Sequence, residues 1–508
     1  MSLGLIGIIL SLILLITLVY RGMSVVLAAP LAALFAIIMA GVPLLATYTE
    51  IFMPGMAGFI ASYFPIFLTG AIFGVLMTVS GYAKDIAATL TQWLGPKRAM
   101  LATVLTGAVA TYGGISVFVA VFVLFPITRE LFRQADIPRR LIPATIGLGI
   151  VTFTMTAVPG APQIQNIIPG QTFETDTFAA PGIGIIAAVL IFGLGMFWLE
   201  FRKRQLFRKG EGFADVTRLE EKEGPGADLG IGQAASAPPQ EEEPSGLAAG
   251  LSDTAAKPSA TTSTTKTKRL PEELSAPNRF FPFIPLLVVI DVNFAVTFLI
   301  FPALDWSSLE DERFGGITLD DRASIWAVLL ALLAAILSIL VLHMKNMRLL
   351  MRGIADGTRQ SFLPIFNTAS EVGYGSVIAS LAAFTIIRDG MFGLTQNALV
   401  TSALSTSVIA GITGSASGGM TIALNALGDD FRQLAIDQGI SMEAMHRITA
   451  LASGGLDTMP HNGFVVTLLL VCGMSHRESY KDLAMISLVI PVLVTAAMIP
   501  VVMFFGTF

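Results

Sequence analysis

Cysteine is all but missing: Cys472 stands alone in a chain of 508 residues. That excludes an intrachain disulfide and, with it, a cysteine-held metal cluster. Charge is scarce as well, at 13% Asp, Glu, Lys and Arg against 54% hydrophobic residues, a balance foreign to soluble globular domains. The net charge of -5 comes with no basic patch, which removes a nucleic-acid surface from consideration. Only four histidines occur, and neither a His-Glu-x-x-His pair nor a nucleophile with its base is present. A membrane-embedded enzyme would lack its chemistry, and neither metal nor cofactor is expected. The first apolar run has no basic leader and no small-residue cleavage site, so it reads as a retained span rather than a signal peptide.

What the chain has in abundance is apolar length. Runs of about 20 residues recur from Leu3 to Tyr20, Val25 to Ala46, Phe64 to Val79, Ile183 to Leu199, Phe281 to Phe301, Ile325 to Leu342 and Leu483 to Phe505. Each can cross roughly 30 Å of hydrocarbon as a helix, so the expected fold is an all-α polytopic membrane protein. Residues 201–279 break the pattern with stretches such as "QAASAPPQEEEPSG" and "SATTSTTKTK", which have little to bury. The expected division is a membrane repeat over 1–200, a disordered linker over 201–279 and a second membrane repeat over 280–508.

Internal similarity joins the two membrane parts. "FPIFLTGAIFG" (Phe64 to Gly74) matches "LPIFNTASEVG" (Leu363 to Gly373), with Pro364 lying 299 residues after Pro65. "LFRQADI" (Leu131 to Ile137) matches "DFRQLAI" (Asp430 to Ile436) at the same offset, and "TAVPGAPQIQN" falls opposite "DTMPHNG". Positive charge sets orientation. The basic "EFRKRQLFRKG" puts the linker in the cytoplasm, the acidic "DWSSLEDERFGGITLDD" lies outside, and "HMKNMRLLMR" returns inside. The repeats are therefore expected to be inverted, with about five transmembrane helices each.

Each repeat also carries two interruptions. Basic groups on both sides of "YGGIS" lie on one face, which predicts a re-entrant hairpin with Gly113 and Gly114 at its tip; "GITGSASGG" predicts the partner hairpin. After each comes an apolar segment broken by proline and glycine, "VPGAPQIQN" and "GGLDTMPHNG". Unpaired backbone at membrane depth is tolerated where it lines a cavity, and paired breaks in inverted repeats point to a transport site at the midplane. Free amide hydrogens at half-helix N-termini suit an anionic carboxylate. Gly113, Gly114 and Ser116 at one tip, Gly414, Ser415 and Ser417 at the other, and Gln163, Gln165, Asn166 and Asn462 at the breaks are the candidate substrate contacts. A charge at a helix centre costs about 2.5 to 3.5 kcal/mol, so Asp457 and Glu371 are candidates for proton or sodium coupling. His461 joins both sets because imidazole titrates near neutral pH. Asp291 is expected to pair within its bundle, and His446 and His476 read as loop residues near membrane edges.

"YGGISVFVAVFVLFPI" (Tyr112 to Ile127), "GITGSASGGMTIAL" (Gly411 to Leu424) and "MPHNGF" (Met459 to Phe464) resemble the gluconate permease (GntP) family, within the larger ion transporter superfamily. The resemblance runs over both membrane parts and leaves out the linker. It implies a bacterial inner-membrane symporter that imports gluconate, a related sugar acid or a short hydroxy acid with protons. It also implies that Gly113, Gly114, Ser116, Ser415, Ser417, His461 and Asn462 lie at or near the site. Where gluconate-type members have a His-Val-Asn-Asp order, this chain reads Asp457-Thr458-Met459-Pro460-His461-Asn462, which leaves gluconate, 3-hydroxybutyrate and lactate all open. The expected partners are a small organic anion, protons or sodium, and the lipid bilayer, and the architecture admits a homodimer. A sodium/proton antiporter or sodium-coupled anion carrier is the alternative; an antiporter calls for several intramembrane acids converging on one site.

Overall fold

The computed structural model describes residues 2–21, 23–95, 98–115, 117–213, 280–460 and 462–507. Among these, all regular structure is helical. The first part runs α1 (Ser2–Tyr20), α2 (Val25–Ala40), α3 (Leu44–Val79), α4 (Tyr82–Leu94), α5 (Ala99–Tyr112), α6 (Val117–Gln134), α7 (Ile142–Ile150), α8 (Ile168–Phe173) and α9 (Pro181–Arg208). The second runs α10 (Phe281–Ala303), α11 (Ala323–Leu342), α12 (Met347–Ser380), α13 (Phe384–Leu394), α14 (Ala398–Thr413), α15 (Ala416–Asp437), α16 (Met442–Ser453), α17 (Gly463–Cys472) and α18 (His476–Phe505). The main helices of the second part follow one another in an order similar to those of the first, while the short turns between them differ.

Among the described residues five helices, α3, α9, α10, α11 and α18, are long and apolar enough to span a bilayer. The α12–α13 pair, bent by 89° at its break, passes the same length and hydropathy test when its two helices are taken together. The arms α5 and α14 have 14 and 16 residues, roughly 21 and 24 Å long, too short to cross about 30 Å of hydrocarbon alone. Each turns back at once into its partner, α6 or α15.

The matched proline helices form the frame. Thr69 donates to the Pro65 carbonyl at 2.8 Å, and Thr368 donates to the Pro364 carbonyl at 3.3 Å, so the threonine of the shared motif bonds its own helix the same way in both. α3 and α12 run antiparallel. A Cβ on Gly55 would meet Ser376, while one on Gly357 would lie 2.6 Å from the Ile72 Cα and one on Gly353 would meet Leu76. Glycine lets these two backbones approach closely.

Residues 201–208, assigned by composition to the start of the linker, continue α9. There Arg202 is buried against α18, donating to both carboxylate oxygens of Asp482 at 2.6 and 3.1 Å, while the Trp198 indole donates to the same carboxylate at 3.1 Å. Glu211 then pairs with Arg140 at 2.6 Å, and the Phe213 amide donates to Asp136 at 3.0 Å, which returns the chain to the base of the first hairpin. The rest of the linker, 214–279, lies outside the described residues.

Three stability outcomes follow. Asp482→Ala leaves the Arg202 guanidinium buried without its anion and is expected to cost about 3 to 5 kcal/mol, with Arg202→Met in the same chain recovering most of it; thermal unfolding in detergent reads both. Gly357→Ala forces a methyl against Ile72 backbone, and its overpacking cost of about 1 to 3 kcal/mol exceeds the helix-propensity gain. Gly193→Ala on α9, where a methyl meets nothing within 4 Å, should leave the melting temperature unchanged or raise it.

Candidate functional site

The four interruptions are tied together by side-chain amides. At the first hairpin tip, α5 ends at Tyr112 and the chain turns through Gly113 and Gly114, the latter at φ 92°, where a side chain is strained. Gln163, from the break between α7 and α8, donates to the Thr111 carbonyl at 2.5 Å, and the Tyr112 hydroxyl donates to the Pro159 carbonyl at 2.9 Å. The second tip repeats the device. Asn462, from the break between α16 and α17, donates to the Gly414 carbonyl at 2.6 Å and to the Asp457 carbonyl at 2.9 Å. Its Oδ1 accepts from the Val465 amide at 2.8 Å and caps α17. Ser415 caps α15 by accepting from the Gly418 amide at 3.1 Å. In each half, the broken helix satisfies backbone that the hairpin turn exposes.

The two breaks also touch each other. A Cβ on Gly454 would lie 2.6 Å from the Thr156 methyl. The strongest link is Arg447 on α16, fully buried. It donates to the Asn166 side-chain oxygen at 2.7 Å and to the carbonyls of Thr177 and Ala179 at 3.2 and 2.7 Å. Asn166 in turn donates to Ala161 and Thr177 carbonyls at 3.0 and 2.8 Å. All of its polar capacity is directed into the fold, so its part in the site is to position the break. Asn293 on α10 donates to the Gly160 carbonyl at 3.0 Å and joins this knot to a long span.

Three candidate residues keep a buried oxygen without a hydrogen-bond partner among the described residues: Gln165 Oε1, Glu371 Oε2 and Asp457 Oδ1. Such atoms are uncommon in folded proteins and call for an explanation, an unseen ligand among them. Each is an acceptor, so each seeks a proton, a cation or a ligand hydroxyl. Glu371 projects from α12 over the start of α15, where a Cβ on Gly418 would fall 2.0 Å from its Oε2 and 3.0 Å from the Ser415 hydroxyl. The missing side chain at position 418 is what admits the carboxylate. Asp457 lies in a short turn, Leu456–Thr458, whose neighbour Thr458 accepts from Tyr480 at 3.0 Å and from Ser487 at 2.9 Å.

Placement of the remaining candidates is mixed. Ser417 is buried in the first turn of α15, and Gln163 is half-buried. Ser116 and His461 lie outside the described residues. Asp291 is exposed on α10 rather than paired within its bundle, so it does not join Asp457 and Glu371. His446 is no loop residue: it is fully buried on α16, with Nδ1 2.7 Å from the Thr175 hydroxyl. His476 starts α18 and contacts the Pro460 carbonyl at 3.0 Å. Arg447 was missed from the sequence, although an arginine inside "MHRITALAS" is the intramembrane charge that ordinarily draws notice.

A cavity of about 790 Å³ opens between α3, α8, α12 and α15. No candidate residue lines it, but its inner wall adjoins them: Val372 follows Glu371, and Thr421 donates to the Ser417 carbonyl at 2.8 Å.

A sequence model described as GntP family permease matches residues 3–231. The uncharacterized transporter YxjC of Bacillus subtilis is 40% identical over 491 residues, 96% of each chain. An uncharacterized transporter of Haemophilus influenzae is 33% identical over 162 residues, 32% of this chain and 36% of its own. The crystal structure of the Alcanivorax borkumensis YdaH transporter, described as having an unusual topology, superposes with a TM-score of 0.50 at 15% identity, covering 89% of this chain and 88% of that one, a likeness of fold alone. With the family pattern matched over the first half and high identity to a transporter held across both, this chain belongs to the GntP family of permeases and is a multi-pass membrane transporter.

Proposed function

We propose that the chain is a secondary active symporter of the bacterial inner membrane that imports a small sugar-acid or hydroxy-acid anion, such as gluconate, with protons. The substrate sits at the midplane between the two hairpin tips and the two broken helices, and the inverted repeats exchange access between the two faces. One observation carries this reading: two buried acids, Asp457 and Glu371, each keep an unpartnered oxygen beside the second hairpin and its broken helix. An intramembrane acid left in that condition is costly, and in transporters such groups serve proton or ion relays. The antiparallel packing of α3 and α12 and the similar order of the main helices support inversion. The acidic and basic loops support a cytoplasmic linker.

Sodium in place of protons is the second reading, and one feature supports it. Gln165, Glu371 and Asp457 all present acceptor oxygens, the ligand type a hard cation takes. Antiport without an organic substrate has less support, because Asp291, the third acid it would draw on, is exposed on α10.

Proteoliposomes given labelled gluconate, 3-hydroxybutyrate or lactate should accumulate one of them under an inward proton gradient at fixed sodium. Accumulation that follows sodium instead moves coupling to that ion; no accumulation, with sodium alone collapsing a pH gradient, leaves antiport. Asp457→Asn is expected to abolish gradient-driven accumulation while substrate exchange persists, and Glu371→Gln to do the same if both acids load together. Normal accumulation by either variant removes that residue from coupling.

A further inference from the structure

The cavity between α3, α8, α12 and α15 has its own chemistry. Arg432 is the only basic residue among those lining it, and Ser62, Gln171, Thr421 and Asn425 add hydroxyl and amide groups around it. Arg432 reaches across from α15 to the end of α8. Its Nη1 donates to the Thr172 carbonyl at 2.8 Å and to Glu174 Oε1 at 2.7 Å. Those bonds use one nitrogen of the guanidinium fork; Nε and Nη2 have no partner among the described residues. Such a fork matches a carboxylate with two parallel bonds, and Glu174 takes only one of them.

Glu174 ends α8. Its backbone is left-handed, at φ 54° and ψ 51°, and its amide bonds back to the Gly170 carbonyl, the usual way a helix closes, so the turn sets the direction of its side chain toward Arg432. The pair is open to water, with side chains 29% and 49% exposed, and a bridge of that kind stabilises a fold little. A weak, water-exposed bridge of this kind is one that a stronger acceptor can displace. Asp429 lines the same cavity, so an incoming acid competes with Glu174 for a single cation under an excess of negative charge. A second carboxylate on the ligand would find no partner.

We propose that this cavity is a reception site for the transported monocarboxylate, with Arg432 binding its carboxylate and Glu174 acting as a tethered stand-in that the ligand displaces. The proposal rests on the reading of the chain as an organic-anion carrier. Two of the cavity's lining residues adjoin the second hairpin's site residues: Val372 follows Glu371, and Thr421 donates to the Ser417 carbonyl at 2.8 Å. The first turns of α3 beside this mouth, "TYTEIFMPG", carry no basic residue, which favours the outer face for it. The repeat-related arginine, Arg133, is elsewhere: it is 63% exposed and pairs with Glu130 on its own helix at 2.7 Å.

The test is the KM and kcat of uptake of labelled gluconate, lactate and 3-hydroxybutyrate by the full chain in proteoliposomes, over a concentration series. Arg432→Gln is expected to raise KM about ten-fold at unchanged kcat, the loss of one charge-assisted contact. Glu174→Gln should lower KM, by about three-fold for a half-exposed competitor. Arg133→Gln, which removes the same charge away from the cavity, should change neither. Opposite signs from the two partners of one ion pair separate reception from scaffolding, because a structural bridge suffers alike from losing either side. Shifts in the same direction, or no shift in either variant while the wild type shows saturable uptake, overturn the site and leave the carrier reading intact. Absence of saturable uptake of all three acids by the wild type overturns both.

Discussion

An unpaired peptide group in hydrocarbon costs several kcal/mol, and this fold places two hairpin turns and two helix breaks where water is scarce. Everything near its centre answers that constraint. Gln163 and Asn462 are the plainest answers, each spending a side-chain amide on a carbonyl that a hairpin turn leaves open. Tyr112 spends its hydroxyl on Pro159. None of these groups could be apolar without stranding a backbone oxygen. Polarity at the centre of such a chain is therefore partly architecture, and only the atoms left over after the backbone is satisfied are free to meet a ligand.

That accounting separates residues that looked alike. Asn166 and Asn462 are fully engaged, so they hold the breaks in shape; Gln165, Glu371 and Asp457 retain an oxygen each. Arg447 explains how the first break tolerates its bends. The loop from Glu174 to Ala180 has a left-handed residue at both ends, each costing on the order of 1 to 3 kcal/mol, and Arg447 binds two of the carbonyls between them. A buried guanidinium making four hydrogen bonds to three oxygens offsets strain that the sequence gives no sign of.

Much of the frame was legible because it rests on repetition. Pro65 and Pro364, with threonines four residues on, occupy equivalent places in equivalent helices, and the hairpins and breaks fall where glycine and proline interrupt apolar runs. The misses have a common cause. His446 and Arg447 resembled loop residues because two polar groups side by side in a short amphipathic stretch are usually at an edge; only the partner loop from the other half, 281 residues away for Arg447 and Asn166, shows them to be interior. Residues 201–208 were lost to the linker for a similar reason. Composition cannot show that Arg202 has a buried carboxylate waiting on α18. Contacts between distant halves carry no local signature.

These ties also limit how access to the site could change. Within each half a tip is bonded to its break, and Arg447 and the Thr156–Gly454 contact bond the two breaks to each other. Pulling a tip from its break would expose carbonyls to hydrocarbon at several kcal/mol apiece, which keeps separated arrangements sparsely populated. Hairpins and breaks are therefore favoured to move together. Against the α3–α12 frame the cavity side is held by Tyr63, which donates to Gln171 at 2.5 Å, and beyond the cavity α12 packs on α15, where Gly375 faces Ile422 and Gly418 admits Glu371. Under the proposed reading, alternating access is a displacement of one polar, internally satisfied body along two antiparallel proline helices. The cavity beside Arg432 is then the space through which that body meets one side of the membrane.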